Sequence, residues 1–198
     1  EKDVIICSGE INIDSEGKGI LGTISTTIDG GTFTISSDDD AIHSNGYVTI
    51  NDGSFELSTN DDAIHANNDL VINDGEIKIT KSYEGIERGE GDITINGGEI
   101  QLVSSDDGLN LAAGGGSRPG PRQISTTGNY YLYINGGYIV VNAGGDGVDA
   151  NASVVMTDGD LIVSGSTSSN NSALDYDGSF AMNGGFLVAA GTSKMAEA

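Results

Sequence analysis

Positive charge is scarce in this sequence: 8 lysines and arginines stand against 30 aspartates and glutamates, a formal net charge of −22. Such a surface repels nucleic acid and anionic membranes and draws cations. There is no tryptophan, only 2 prolines, and aromatic residues make up 6% of the chain. The single cysteine, Cys7, excludes an internal disulfide and is expected to be a small buried residue. No apolar run approaches the roughly 20 residues of a membrane span. High charge with few apolar residues is one signature of disorder, but a regular Ile/Val/Leu pattern here argues for a packed core.

What the chain has is glycine, 31 residues of it, and a phrase that returns. Asp-Asp-Ala-Ile-His stands at Asp39–His43 and again at Asp61–His65, with looser copies at Tyr83–Glu87, Asp106–Asn110 and Gly145–Asp149. The apolar residue of the phrase falls at Ile20, Ile42, Ile64, Ile86, Leu109, Val148 and Leu174, in steps of 22, 22, 22, 23, 39 and 26. A glycine marker at Gly31, Gly53, Gly75, Gly98, Gly137, Gly159 and Gly185 keeps the same period through the same kinds of insertion. Repeats of this length signal a solenoid.

Around each glycine the apolar residues alternate, as in Val48/Ile50 before Gly53 and Phe55/Leu57 after it. Alternation is the strand signature, and the phrase supplies a short third strand. Three strands per turn of about 22 residues describe an all-β, single-domain parallel β-helix of roughly 7–8 coils over residues 1–198, with a long loop insertion at about 111–130. Successive coils then lie about 4.8 Å apart, with equivalent side chains in columns. Asn51, Asn73, Asn96 and Asn135, and Asn183 beyond a break at Thr157, read as a stacked amide ladder at a bend. The Asp-Gly pairs would also suit antiparallel hairpins, which seldom hold a strict period through insertions. Val4–Ile6 and Ile11–Ile13 form an imperfect first coil. Lys194–Ala198 is too small and polar to cover the last one, so self-association or a further domain is expected at that end.

The stacked phrases create acidic columns. Asp40, Asp62, Glu84, Asp107 and Asp146 form one, and His43, His65, Glu87, Asn110, Asp149 and Asp175 another. Between them Ala41, Ala63, Gly85, Gly108, Gly147 and Ala173 are read as a small-residue floor facing outward, with a bend swinging the Asp40 column to the same side. Like charges about 4.8 Å apart repel by roughly 0.9 kcal/mol in water and roughly 3.5 kcal/mol at an effective dielectric of 20. Several calcium ions would relieve this, since calcium takes six to eight oxygen ligands from carboxylates and carbonyls. The expected ligands are Asp40, Asp62, Glu84, Glu87, Asp107, Asn110, Asp146 and Asp149, best supplied from Glu84 to Asp149. The bland alternative is a solvated acidic face. At His43 and His65 nitrogen replaces oxygen, and stray zinc becomes conceivable.

Between Leu109 and Val148 about 17 extra residues carry Pro119, Pro121, Arg118 and Arg122, followed by tyrosines. Arg118, Arg122, Tyr131, Tyr133 and Tyr138 are candidate polysaccharide contacts: rings offer an apolar face to a sugar, and guanidinium grips a carboxylate bidentately. A linker-like excursion with ordinary surface tyrosines is the other reading.

With the doubled Asp-Asp-Ala-Ile-His followed by an alternating strand and Asp/Gly-Gly, the stretch Asp38–Gly185 resembles the secreted carbohydrate-binding β-helix proteins of cellulose-degrading anaerobes, which are similar to pectate lyases. The resemblance implies a right-handed parallel β-helix with bound calcium that binds cellulose and acidic sugars such as polygalacturonate, at a bacterial surface or outside the cell. A non-catalytic binding module is the first expectation. A calcium-dependent polysaccharide lyase is the alternative, with Arg88, beside Glu87 and read as lying in the acidic strip, as the only candidate base. A purely structural surface protein is the third.

Overall fold

The computed structural model describes residues 2–111 and 130–192. Within them the chain is all β and winds as a parallel solenoid. Two sheets of eight strands and one of seven run along its axis, and each coil adds one strand to each sheet in turn. In the coil that carries the first full phrase, Thr32–Ser37 joins sheet B, Ile42–Ser44 sheet C and Tyr47–Ile50 sheet A. Every neighbour pairs parallel, and the predicted register holds: Ile42 lies between Ile20 and Ile64, and Leu109 between Ile86 and Val148. The register holds across the 39-residue step, since Leu132 pairs directly with Ile93.

The period follows from the corners. At the corner between sheets A and B, Gly31, Gly53, Gly75, Gly98, Gly137, Gly159 and Gly185 all have positive φ, which L side chains avoid. Space forbids a side chain as well: a Cβ on Gly75 would stand 2.8 Å from the carbonyl oxygen of Gly53 in the coil below. The amide ladder runs beside these glycines. Asn51 donates to Asp29 at 2.7 Å, Asn73 to Asn51 at 2.7 Å, Asn96 to Asn73 at 2.8 Å and Asn135 to Asn96 at 2.9 Å. The Thr157 hydroxyl closes the far end on Asn135 at 2.9 Å. Asp29, not foreseen as a rung, starts the ladder because its first place needs only an acceptor.

Inside, the stacked columns are apolar and buried. Ile42, Ile64, Ile86 and Leu109 are fully buried, and Phe33 stacks on Phe55 with ring centroids 4.6 Å apart. Cys7 departs from expectation. It occupies the outer corner position that asparagines take in later coils, and it is exposed rather than buried. The segment 193–198, with the expected weak end at Lys194–Ala198, lies outside the described residues.

Candidate functional site

Sheet C and the bend before it carry the phrase. The backbone bends at Asp38, Asp39 and Ala41, and this sets the side chains in an order that strict alternation would not give. Asp40 reaches the His43 side of the strand, where its Oδ2 lies 2.6 Å from His43 Nδ1. The small residues turn the other way. A Cβ on Gly85 would stand 2.9 Å from Leu102 Cδ1, and one on Gly108 2.3 Å from Val141 Cγ1. The Ala/Gly column therefore packs against the core and is no outward floor. Smallness is demanded there by the side chains of sheet B, not by a ligand.

The two acidic columns do come together, and their chemistry changes along the axis. In the first coils the protein neutralises itself. Lys18 Nζ lies 2.8 Å from Asp39 and 2.5 Å from Asp40. Burial opposes ionisation of Asp40, but hydrogen bonds with His43 and Lys18 outweigh it and hold the carboxyl down at about 2. One coil further, His65 Nδ1 lies between Asp62 at 2.9 Å and Glu87 at 2.8 Å. Burial works against charge on His65, yet these two carboxyls push it up to about 10. Asp62 is pushed up to about 8, by burial first and then by Glu87, while Glu87 is lowered by His65. A protonated Asp62, an ionised Glu87 and an imidazolium together carry no net charge.

Beyond Glu87 the two columns carry no base of their own. Carboxylate oxygens of Asp107, Asp146 and Asp149 all lie within 4.8 Å of one another. Burial pushes Asp107 up to about 8, and Asp149, Asp106 and Asp146 push the same way, against a 2.7 Å hydrogen bond from the Asp146 N–H. Glu84 is raised to about 9 by burial, then by Glu87 and Asp62. Asp146 is raised by burial, with Asp175 adding to it. Asn110 stands in the same row, between Glu87 and Asp149. Its Nδ2 donates to Glu84, and its Oδ1 is buried without a hydrogen-bond partner. An orphaned carbonyl beside three crowded carboxyls is an oxygen-only donor set of the kind hard divalent cations take. Of the expected ligands, Asp107, Asp146 and Asp149 gather with Asn110 in the same row and Glu84 bonded to Asn110, while Asp40, Asp62 and Glu87 form equally tight groups in which Lys18, His43 and His65 already take part.

The remaining candidates separate. Arg88 lies on the opposite side of its strand from Glu87 and is fully buried, where the sequence reading had placed it in the acidic strip. Its guanidinium sits over the Tyr130 ring, 4.7 Å from the centroid, and Nη1 donates to the Gly89 carbonyl at 2.9 Å. Alternation explains the difference: neighbouring residues on a strand face opposite ways. Tyr131 and Tyr133 stack with centroids 5.2 Å apart on the outer face of sheet A. Tyr138 is exposed on sheet B, away from that pair. Arg118 and Arg122 lie outside the described residues.

A parallel solenoid that stacks an acidic phrase on sheet C and offers a tyrosine pair on sheet A belongs to the repeat proteins that present long binding faces. The chain belongs to the family described as carbohydrate-binding domain-containing protein, whose model matches residues 1–128. The coils from Tyr131 onward continue the same three sheets in register. No curated protein and no solved structure is matched by the chain.

Proposed function

We propose that the protein is a non-catalytic, calcium-dependent binder of plant cell-wall polysaccharide, taking acidic sugars of the polygalacturonate type through bound cation and cellulose through its tyrosine-bearing faces. The observation that carries this reading is the buried, partnerless Oδ1 of Asn110 beside the Asp107–Asp146–Asp149 cluster. Calcium fits that oxygen set and would relieve the crowding. A cation held by few protein ligands keeps positions open for sugar carboxylates, which is how an anionic protein can meet an anionic polymer. For neutral chains, the stacked Tyr131 and Tyr133 supply a flat apolar platform. Polymers of this kind lie outside the cell, so a secreted or surface-held bacterial protein goes with the reading.

The lyase alternative asked for a base in the acidic strip, and Arg88, buried under Tyr130, does not suit that role. The test is retention of polygalacturonate by immobilised protein with calcium and with chelator, while absorbance of unsaturated product is followed. Retention lost on chelation, without product, is the expected result. Product formation would favour the lyase, and retention indifferent to chelator would remove the cation from the account.

A further inference from the structure

One place breaks the repeat in a way the acidic columns do not explain. Ile79 pairs with Leu57 and with Leu102, so two residues on Lys81 should point inward. At that place other coils have Ser37, Thr59 and Ser104, all small and buried. A lysine cannot fill it without leaving a charge unpaired in the core. The strand bulges between Ile79 and Lys81, Lys81 pairs with Ser58 instead, and both Thr80 and Lys81 become exposed. In the same coil Tyr83 replaces the first aspartate of the phrase, the place of Asp39, Asp61 and Asp106. Its side chain is 46% exposed, and the neighbouring Asp106 carboxylate pushes its hydroxyl up to about 12.

The bulge opens a groove of about 210 Å³, with Tyr83 and Val103 as its exposed apolar parts. That is smaller than the roughly 300–1,000 Å³ of sites for drug-sized ligands, and suits a single ring of a polymer. Its hydroxyls share one feature. Thr59 donates to the Asp39 carbonyl at 2.5 Å, Thr80 to Leu57 at 3.1 Å and Ser82 to Val103 at 3.2 Å. Ser104 donates to Asp106 at 3.1 Å and Ser105 to Ser82 at 3.2 Å. Each has thus given its single proton to the backbone; Thr59, Ser82 and Ser104 are buried, and the exposed Thr80 and Ser105 face a ligand as acceptors. Among the described residues that line the groove, Lys81 is the one cationic donor. One of its protons goes to Asn60 Oδ1 at 2.5 Å, which leaves two.

Acceptors along the walls, an aromatic edge and flanking aspartates disfavour an anion and favour a ligand rich in O–H donors with an apolar face. We infer that this groove between sheets B and C is a subsite for one neutral pyranose unit, working without calcium. The inference rests on the carbohydrate-binding reading but assigns its neutral-sugar arm to residues separate from the cation cluster. Lys81 and Tyr83, the two departures from the repeat, make the subsite, since restoring small residues there would close or strip it.

The experiment titrates the protein with cellotetraose and with tetragalacturonate in chelator, by calorimetry, using wild type, Lys81→Ser and Tyr83→Ala. Wild type is expected to bind cellotetraose in chelator and not tetragalacturonate. Each variant is expected to weaken cellotetraose at least about tenfold, with melting temperature unchanged or, for Lys81→Ser, raised. Variants that bind cellotetraose as wild type does, or binding that requires calcium, would overturn the subsite while leaving carbohydrate binding intact. A preference for tetragalacturonate in chelator would also overturn it. Wild type that binds neither sugar in chelator, nor polygalacturonate in calcium, would overturn the broader reading as well.

Discussion

The imidazole of His43 lies flat on that of His65, ring centroids 4.7 Å apart and planes 20° from parallel. The separation matches the spacing of one coil from the next, so two copies of a phrase written 22 residues apart become a single stacked unit. Each ring meets an aspartic carboxyl group at Nδ1 and an asparagine at Nε2, Asn45 at 3.0 Å and Asn67 at 3.1 Å. His65, raised by Asp62 and Glu87 against the effect of burial, is a cation of this stack, and in the later coils Glu87, Asn110 and Asp149 take the histidine's place.

Chelated protein is expected to lose stability as pH rises. Glu84 and Asp107 are held up at about 9 and about 8 by burial and then by neighbouring carboxylates. A carboxyl raised in the folded state binds more protons folded than unfolded, so stability falls from the unfolded value near 4 up through about 8–9. Calcium replaces those protons and should weaken the trend. Melting curves from about pH 6 to about pH 9 should fall by more than about 3 °C in chelator, equivalent to about 1 kcal/mol or more, and fall less in calcium, where the raised Asp62 and His65 still release protons.

Lys18→Met should lower neutral-pH stability by on the order of 1–2 kcal/mol. Asp40, depressed by His43 and Lys18 to about 2, contributes stability that is present above its unfolded value near 4 and lost as pH falls through about 2. Weakening that depression brings acid unfolding to higher pH, which circular dichroism along an acid titration would read. An unchanged acid midpoint would show that Lys18 is a bystander.

The amide ladder has a direction, each Nδ2 donating toward the first coil. Asn73→Asp removes the donor to Asn51 and sets a charge against its oxygen, and should cost about 1–2 kcal/mol in urea unfolding. Asp29→Asn keeps the acceptor that Asn51 uses and should change stability by less than about 0.5 kcal/mol. Equal effects would mean that the ladder's polarity does not matter.

Gly75→Ala should be worse than a surface substitution, by about 1–3 kcal/mol. Its φ is +117° and the added methyl would press on the Gly53 carbonyl. Alanine tolerated without loss would argue that this corner relaxes easily.

Much of this was legible beforehand because a solenoid repeats its evidence. Seven glycines and seven apolar residues in step placed every coil, and alternation in Val48/Ile50 and Phe55/Leu57 placed the strands. What escaped the reading lies where alternation fails. The bend at Asp38–Ala41 decides that Asp40 joins His43 while Ala41 turns to the core, and no period announces a bend. Arg88 was read from its neighbour Glu87, though it shares a column with Ser44 and Ala66, which are fully buried. The bulge at Thr80–Lys81 had a signal: a lysine in a column of serine and threonine. Self-neutralisation of the first coils depends on Lys18 reaching a carboxylate 22 residues away, a contact that needs the register first.

Where a cation sits decides between these readings most directly. Crystals grown in ample calcium, measured for anomalous scattering, should show a peak among Asp107, Asn110, Asp146 and Asp149, with Asn110 Oδ1 turned to it, and none between Asp40 and His43. Those four side chains opening into solvent, with no peak between them, would contradict it.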